Sequence, residues 1–393
     1  MNARKKTDLI LMLAAFSMLL ANLLNMSLWA LGSSISLAIY LIIISVYLIF
    51  SFITNRTDFV ILSLLFFLIL LVLGHPLEDW DARSIWFFHA KRIFIDDNLY
   101  AQLDNYMPWS HNDYPVLIPA LAATFAKTLG FWNEYLPKLS LILVILPAIL
   151  IHKKLFNNTY LFNIWLIGII FIIGKFLING YMDGILALYT SASVLFLSNI
   201  YLMKDIDKKN YALFFLVLVT LPFIKNEGFL VLILILICLF PKIISNLKLL
   251  SYFLLSIIPY LVIWKFPVMY SLITNDLFPE NISQRFVSRL FNPTDLILIA
   301  KYFFHQLGLF FIILILFIYK NKAEYSRVYM VLLFIILYTL SIVLIYLITP
   351  YDLTWHLGTS AERAFLTIKV CVFSMILFMS FHEKKIPIKM AVF

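Results

Sequence analysis

Long, nearly continuous apolar runs recur along the whole chain, and no other feature constrains the fold as strongly. They are Leu9–Trp29, Ile35–Ile53, Phe59–Leu73, Pro137–Ile151, Tyr160–Leu177, Ile185–Met203, Tyr211–Ile224, Phe229–Phe240, Leu249–Phe266, Leu296–Tyr319, Val328–Ile348 and Phe365–Phe381. Outer-membrane barrels show alternating segments of about 10 residues instead. The pattern therefore predicts an all-α polytopic membrane protein with about twelve transmembrane helices. Several runs fall short of the ~20 residues of a full crossing, so tilts, kinks or polar extensions are expected. The chain is 63% hydrophobic and 13% charged, too apolar for a soluble fold. It reads as a single integral membrane domain over residues 1–393, with an uncleaved first span. Cys238 and Cys371 fall inside spans, as small apolar residues do.

Basic residues orient the spans. One set of loops holds Arg4, Lys5, Lys6; Arg56; Lys153, Lys154; Lys204, Lys208, Lys209; Lys242, Lys248; Lys320, Lys322, Arg327; and Lys384, Lys385, Lys389. The short loops on the other side at Gly32–Ser34 and Gly180–Asp183 hold no Lys or Arg. The positive-inside rule puts both termini in the cytoplasm, as for a protein of a bacterial inner membrane. The formal net charge of +9 sits mostly in these short loops, where it sets orientation and does not call for a nucleic-acid partner.

His75–Leu136, Lys225–Gly228, Pro267–Asp295 and Thr349–Ala364 then face outward. This requires that Val116–Leu129, though apolar, not cross. It reads as a helix along the outer surface, with Pro115 and Pro119 at its start. Ala82–Phe94 reads as a second surface helix, with Ile85, Phe88 and Ile95 on an apolar face and Arg83, Lys91 and Arg92 at head-group level.

Ionisable residues gather in these outward segments. The large loop carries Glu78, Asp79, Asp81 and Arg83, then His111 and Asp113 before Tyr114-Pro115. Asp183 stands where one span turns into the next. Lys225 and Glu227 lie between two short apolar runs. Asp352, His356, Glu362 and Arg363 come after Thr349-Pro350. A carboxylate here can take a proton from an attacking hydroxyl. Arginine and lysine can hold a phosphate and stabilise its negative charge. Structural roles compete: Asp81 is a good N-cap for a helix starting near Ala82. Arg83, Lys91 and Arg92 suit lipid phosphates. Lys225 and Glu227 can pair with each other. No His/Cys set has zinc spacing, and the pattern calls for no metal or cofactor.

At these residues the chain resembles the GT-C superfamily of glycosyltransferases, which includes the protein O-mannosyltransferases and the aminoarabinose transferase of lipid A. The resemblance lies in Trp80-Asp81-Ala82-Arg83 through Phe94, Tyr114-Pro115 to Pro119, Trp132 to Lys138, the basic end His152-Lys153-Lys154, Met182-Asp183, and the lysine turn Phe223 to Gly228. It implies transfer of a sugar from a polyprenyl-phosphate carrier to a glycolipid, polysaccharide or protein acceptor at the outer face. It implies Asp81 as catalytic base, with Arg83, Asp113, Asp183, Lys225, Glu227, His356 and Arg363 binding substrate. The acidic motif has one residue between Asp81 and Arg83 where the mannosyltransferase pattern has two, so either Asp79 or Asp81 takes the key position. Two other classes compete: a polysaccharide polymerase or ligase with a lipid-diphosphate donor, and a lipid-linked sugar transporter. The transporter predicts an inverted repeat and mid-membrane charges; the charges here sit at span ends.

Overall fold

The computed structural model describes residues 3–54, 59–104, 107–202, 208–244, 247–273, 281–320 and 325–382. Of the basic residues that set the expected orientation, Arg56, Lys204, Lys322, Lys384, Lys385 and Lys389 lie outside them. Among the described residues the chain is helical, with no strand. The first three helices are α1 (Ala3–Trp29), α2 (Leu37–Thr54) and α3 (Phe59–Gly74). A π-helical turn, Ala82–Trp86, runs into α4 (Phe87–Asp96), and α5 (Leu117–Leu129) comes next. Then come α6 (Ser140–Phe156), α7 (Thr159–Ile173), α8 (Asp183–Leu202), α9 (Lys208–Ile224) and α10 (Asn226–Ile244). The chain continues through α11 (Leu247–Tyr260), a second π-helical turn (Leu261–Lys265), α12 (Phe266–Tyr270) and α13 (Ile282–Leu290). It ends in α14 (Pro293–Lys320), α15 (Tyr325–Ile348), α16 (Leu353–Ala364) and α17 (Leu366–His382).

Nine helical segments among the described residues are long and apolar enough to cross a membrane. They run Asp8–Trp29, Leu136–Phe156, Thr159–Leu177, Asp183–Tyr201, Asn226–Ile244, Leu250–Tyr270, Pro293–Lys320, Tyr329–Ile348 and Leu353–Ser380. Shorter apolar helices are Leu37–Ile53, Phe59–Gly74, Leu117–Leu129 and Lys209–Ile224. The last long segment joins α16 and α17 through Phe365. The apolar runs alone leave Leu353–Ala364 as loop, because its polar residues hide a helix with only one apolar stripe.

α8 is the hub. It is buried through most of its length and packs against α6, α9, α10, α15 and α17. A polar chain ties four helices inside this bundle. Trp165 Nε1 donates to Ser374 Oγ (2.8 Å), the Ser374 and Ser191 hydroxyls are 2.7 Å apart, and Ser191 Oγ lies 3.1 Å from His152 Nε2. His152 Nδ1 faces the Ala148 carbonyl at 2.8 Å, so Nδ1 carries the proton and Nε2 accepts. All four side chains are thereby satisfied, as burial demands.

Two expected surface helices differ from the sequence expectation. α5 lies inside the protein: Leu117 to Ala123 are fully buried between α1, α4 and α6. Asn25 Nδ2 and Trp29 Nε1 both donate to Thr124 Oγ1 at 2.9 Å, so α1 covers a face that sequence alone assigned to the surface. The stretch Ala82–Phe94 is a π-helical turn that runs into α4, and its inner face is Ile85, Phe87, His89, Ala90 and Ile93. Ile95 is 63% exposed. The extra residue of the π turn shifts the register of the face by one position. Arg92 meets Asp104 at 2.6 Å and Asp96 at 3.2 Å, so carboxylates of the same loop occupy it.

Candidate functional site

Four segments, each placed just after the end of a helix, meet at one end of the bundle. The first enters the π turn after α3 and carries Asp81. The second joins α7 to α8 and ends in Asp183, the first residue of α8. The third is a single residue, Lys225, between α9 and α10. A turn this tight needs Gly228: a Cβ there would lie 1.9 Å from the Leu221 carbonyl oxygen. The fourth is α16, with Arg363 in its last turn.

These segments build one continuous chain of ion pairs. Arg363 Nη1 donates to Asp81 Oδ2 and lies 3.9 Å from Asp183 Oδ2. Lys225 Nζ lies 2.9 Å from Asp183 Oδ1 and 2.9 Å from Glu227 Oε1. Three carboxylates alternate with two cations, and Asp183 bridges both. It is nearly sealed, its side chain 7% exposed. Burial alone lowers the Lys225 ammonium, but the Asp183 and Glu227 carboxylates hold it well above its ordinary value. Glu227 Oε2 is buried with no hydrogen-bond partner among the described residues.

The surroundings fix this chain in place. The Tyr181 ring lies 4.5 Å from the Arg363 guanidinium carbon. Asn179 Nδ2 donates to Asp79 Oδ2 at 2.7 Å, which assigns Asp79 a partner apart from the ion-pair chain. Asp81 makes no side-chain capping bond, so its carboxylate is directed to Arg363 and not to the helix. Gly180 permits the approach: its φ is +90°, and a Cβ there would meet Ala82 Cβ at 2.8 Å.

Asp113 joins through α10. Asn226 Nδ2 donates to Asp113 Oδ2 at 2.8 Å, and Trp264 Nε1 donates to the Asp113 carbonyl at 3.0 Å. Burial lifts the Asp113 carboxyl above its ordinary value. Tyr114 stacks on His111 at 4.9 Å and packs on Trp86 at 5.4 Å. Burial raises its phenol far above the usual range, and Glu227 adds to the effect, so the phenol stays protonated. His356 sits between the rings of Tyr346 (5.1 Å) and Tyr351 (5.7 Å), with Nδ1 buried and unpartnered among the described residues.

Thus Asp81, Asp183, Lys225, Glu227 and Arg363 are brought together, Asp113 is attached through Asn226, and His356 shares the helix of Arg363. Arg83 stands apart: it is exposed, and among the described residues no ion pair links it to this chain. Sequence reasoning missed Asn179, Tyr181 and Asn226. Their signal was adjacency to a charged residue in a turn, which shows only once the turns face each other. Among the described residues no group of three His, Cys, Asp or Glu could hold a metal ion. Chemically, the arrangement offers carboxylates for proton transfer beside two cations that are already paired. No protein-family model matches the chain, and neither a curated protein nor a solved structure matches it.

Proposed function

We propose that this chain is a GT-C-like membrane glycosyltransferase of about twelve spans that takes a sugar from a polyprenyl-phosphate carrier at the outer face of the membrane. The observation that carries the reading is the ion-pair chain Asp81–Arg363–Asp183–Lys225–Glu227, gathered at helix ends from four separate segments. Charges at helix ends suit a lipid-anchored head group at the membrane boundary. A transporter places its charges nearer mid-membrane.

The acceptor hydroxyl attacks the anomeric carbon and gives its proton to Asp81. The bond from that carbon to the phosphate oxygen breaks, and polyprenyl phosphate leaves with the electron pair. A single displacement inverts the carbon. Both cations already have carboxylate partners, so the donor phosphate competes with Asp81 for Arg363. Donor arrival therefore loosens the Asp81–Arg363 bridge and frees the carboxylate that must act as base. Arg363 and Lys225 together steady the leaving phosphate; Arg83 is not needed for that role.

The test is transfer by the full chain in lipid vesicles supplied with a panel of polyprenyl-phosphate-linked sugars, beside mass spectrometry of envelope glycans with and without the gene. Release of free polyprenyl phosphate and loss of one glycan are expected. Intact donors together with unchanged glycans overturn the reading.

A further inference from the structure

The short helix α13 has the sequence Ile282-Ser283-Gln284-Arg285-Phe286-Val287-Ser288-Arg289-Leu290, and none of its residues is fully buried. It packs against α14 and α15. Its apolar contact with α15 is incomplete. Ile282 and Phe286 face Leu344 and Ile348 across a groove of about 700 Å³. Phe286 packs partly buried against the core, so apolar contact accounts for only part of what fixes this helix to its neighbour.

Arg289 adds hydrogen bonds. Its Nη1 donates to the Tyr346 carbonyl at 3.0 Å and to the Thr349 carbonyl at 2.8 Å. Its Nη2 donates to the Tyr351 carbonyl at 2.9 Å. These carbonyls belong to the last turn of α15 and the bend beyond it, where no helical N–H remains to meet them. Three acceptors close together in sequence thus converge on one planar guanidinium, a pattern that matches its rigid fork of donors.

The bend leads directly into the site. Asp352 caps α16, accepting from the Trp355 N–H at 2.8 Å. α16 then delivers His356 and, in its last turn, Arg363. The two tyrosines whose carbonyls Arg289 holds also bracket the His356 ring. The Tyr346 hydroxyl pairs with Ser360 Oγ at 3.0 Å on the same helix. The bend and α16 are therefore joined to each other, and Arg289 adds a hydrogen-bonded tie from α13 beside the packing of α16 on α14, α17 and α8.

We propose that Arg289 is a positioning residue of the site. By closing the bend between α15 and α16, it sets where α16 presents Arg363 to Asp81 and Asp183. The inference rests on reading the ion-pair chain as the reacting centre. Arg289 touches no member of that chain and acts only through α16.

The experiment uses the full-length protein in lipid vesicles, with Arg289→Gln, Arg289→Lys, Arg363→Ala, the double variant Arg289→Gln/Arg363→Ala, and Arg285→Gln as a control on the same helix. Sugar transfer by Arg289→Gln falls by about ten- to a hundredfold, the usual cost of a small misplacement of a reacting group. Lysine recovers part of it, because a point charge cannot serve all three carbonyls equally. Arg285→Gln stays within about twofold of wild type, because the half-buried Arg285 side chain bonds none of the three carbonyls that Arg289 holds. In the Arg363→Ala background most of the Arg289→Gln loss disappears, because the group it positions is gone. An equal loss in both backgrounds marks a merely structural role and overturns the proposal. A second measurement does not depend on turnover. Amide hydrogen exchange over residues 353–364 rises in Arg289→Gln and not in Arg285→Gln; unchanged exchange overturns the proposal. A wild-type protein that transfers no sugar, with exchange behaving as stated, overturns the functional reading and leaves the positioning role standing.

Discussion

Arg363 donates to Asp81 across 282 residues of chain, and it links the last long helical segment to the loop that follows α3. Asp81 uses Oδ2 for that bond and makes no helix-capping bond. A cap would tolerate asparagine, because both residues cap well. A general base would not. Asp81→Asn should therefore lower sugar transfer by about 10²–10⁴-fold while the protein still inserts and accumulates. Near-normal transfer sinks the assignment. A large loss in Asp79→Asn in its place moves the base two residues upstream.

Lys225 stands between Asp183 and Glu227 with its side chain 10% exposed. Removing a cation from such a place leaves two carboxylates without their counter-ion. Lys225→Met should destabilise the protein by about 3–5 kcal/mol, the usual cost of breaking a buried pair. Adding Asp183→Asn should recover part of that loss, since the uncompensated charge goes too. Thermal unfolding in detergent micelles measures both. Losses that simply add would mean the two residues do not interact.

The sidedness of the site can be checked directly. α5 is apolar enough to resemble a short span, yet α1, α4 and α6 enclose it. A reporter that works only outside the cell, fused after Gly130, should be active, and the same reporter after Asn157 should be silent. An inactive fusion at Gly130 would mean that α5 crosses the bilayer, and every later loop would invert.

Much of this architecture is legible in the apolar runs, because a helix that faces lipid must carry a long apolar stretch whatever its neighbours are. The charged turns are legible for the same reason: charge is costly elsewhere in such a chain. Pairing is not legible. Lys225 and Glu227 are neighbours in sequence, but Asp183 completes their arrangement from another helix end. Arg83 shares its motif with Asp81 and yet stays outside. The apolar faces of α4 and α5 escape a sequence reading because a π turn shifts one and a second helix covers the other. Arg289 lies in a stretch expected to be loop, and its partners are backbone carbonyls, which no side-chain pattern reveals.

The long loop over residues 75–136 should be labile to acid. His89 is fully buried, 3.4 Å from Ser110 Oγ. Burial, with His111 and Arg92 adding to it, pushes its imidazole down to about 3. An unfolded histidine titrates near 6.5, so between those values the unfolded loop binds a proton that the folded loop refuses. The stability His89 contributes is therefore present above about pH 6.5 and is lost as pH falls toward 3. Limited proteolysis within residues 75–136 should accelerate steadily below about pH 6. His89→Gln, which cannot be protonated, should flatten that dependence. An equally steep acid dependence in the variant would place the cause elsewhere.

The last prediction turns on one glycine. Gly180 has φ +90°, and a Cβ there would lie 2.8 Å from Ala82 Cβ and 3.1 Å from Phe87 Cε2. Alanine at this position carries two penalties. One is backbone strain, about 1 kcal/mol for a left-handed conformation that glycine adopts freely. The other is a collision that pushes the turn before α8 away from the π turn. Asp183 lies three residues beyond Gly180, and Asp81 directly precedes Ala82, so the collision separates the two carboxylates that share Arg363. Gly130→Ala isolates the first penalty: its φ is +80°, and nothing lies within 4 Å of the added Cβ. Both variants should lose similar stability from strain, while only Gly180→Ala should lose transfer, by about tenfold or more. Thermal unfolding and transfer measured on the same preparations separate the two effects. Equal transfer by the two variants would show that the spacing between Asp81 and Asp183 does not matter to the reaction.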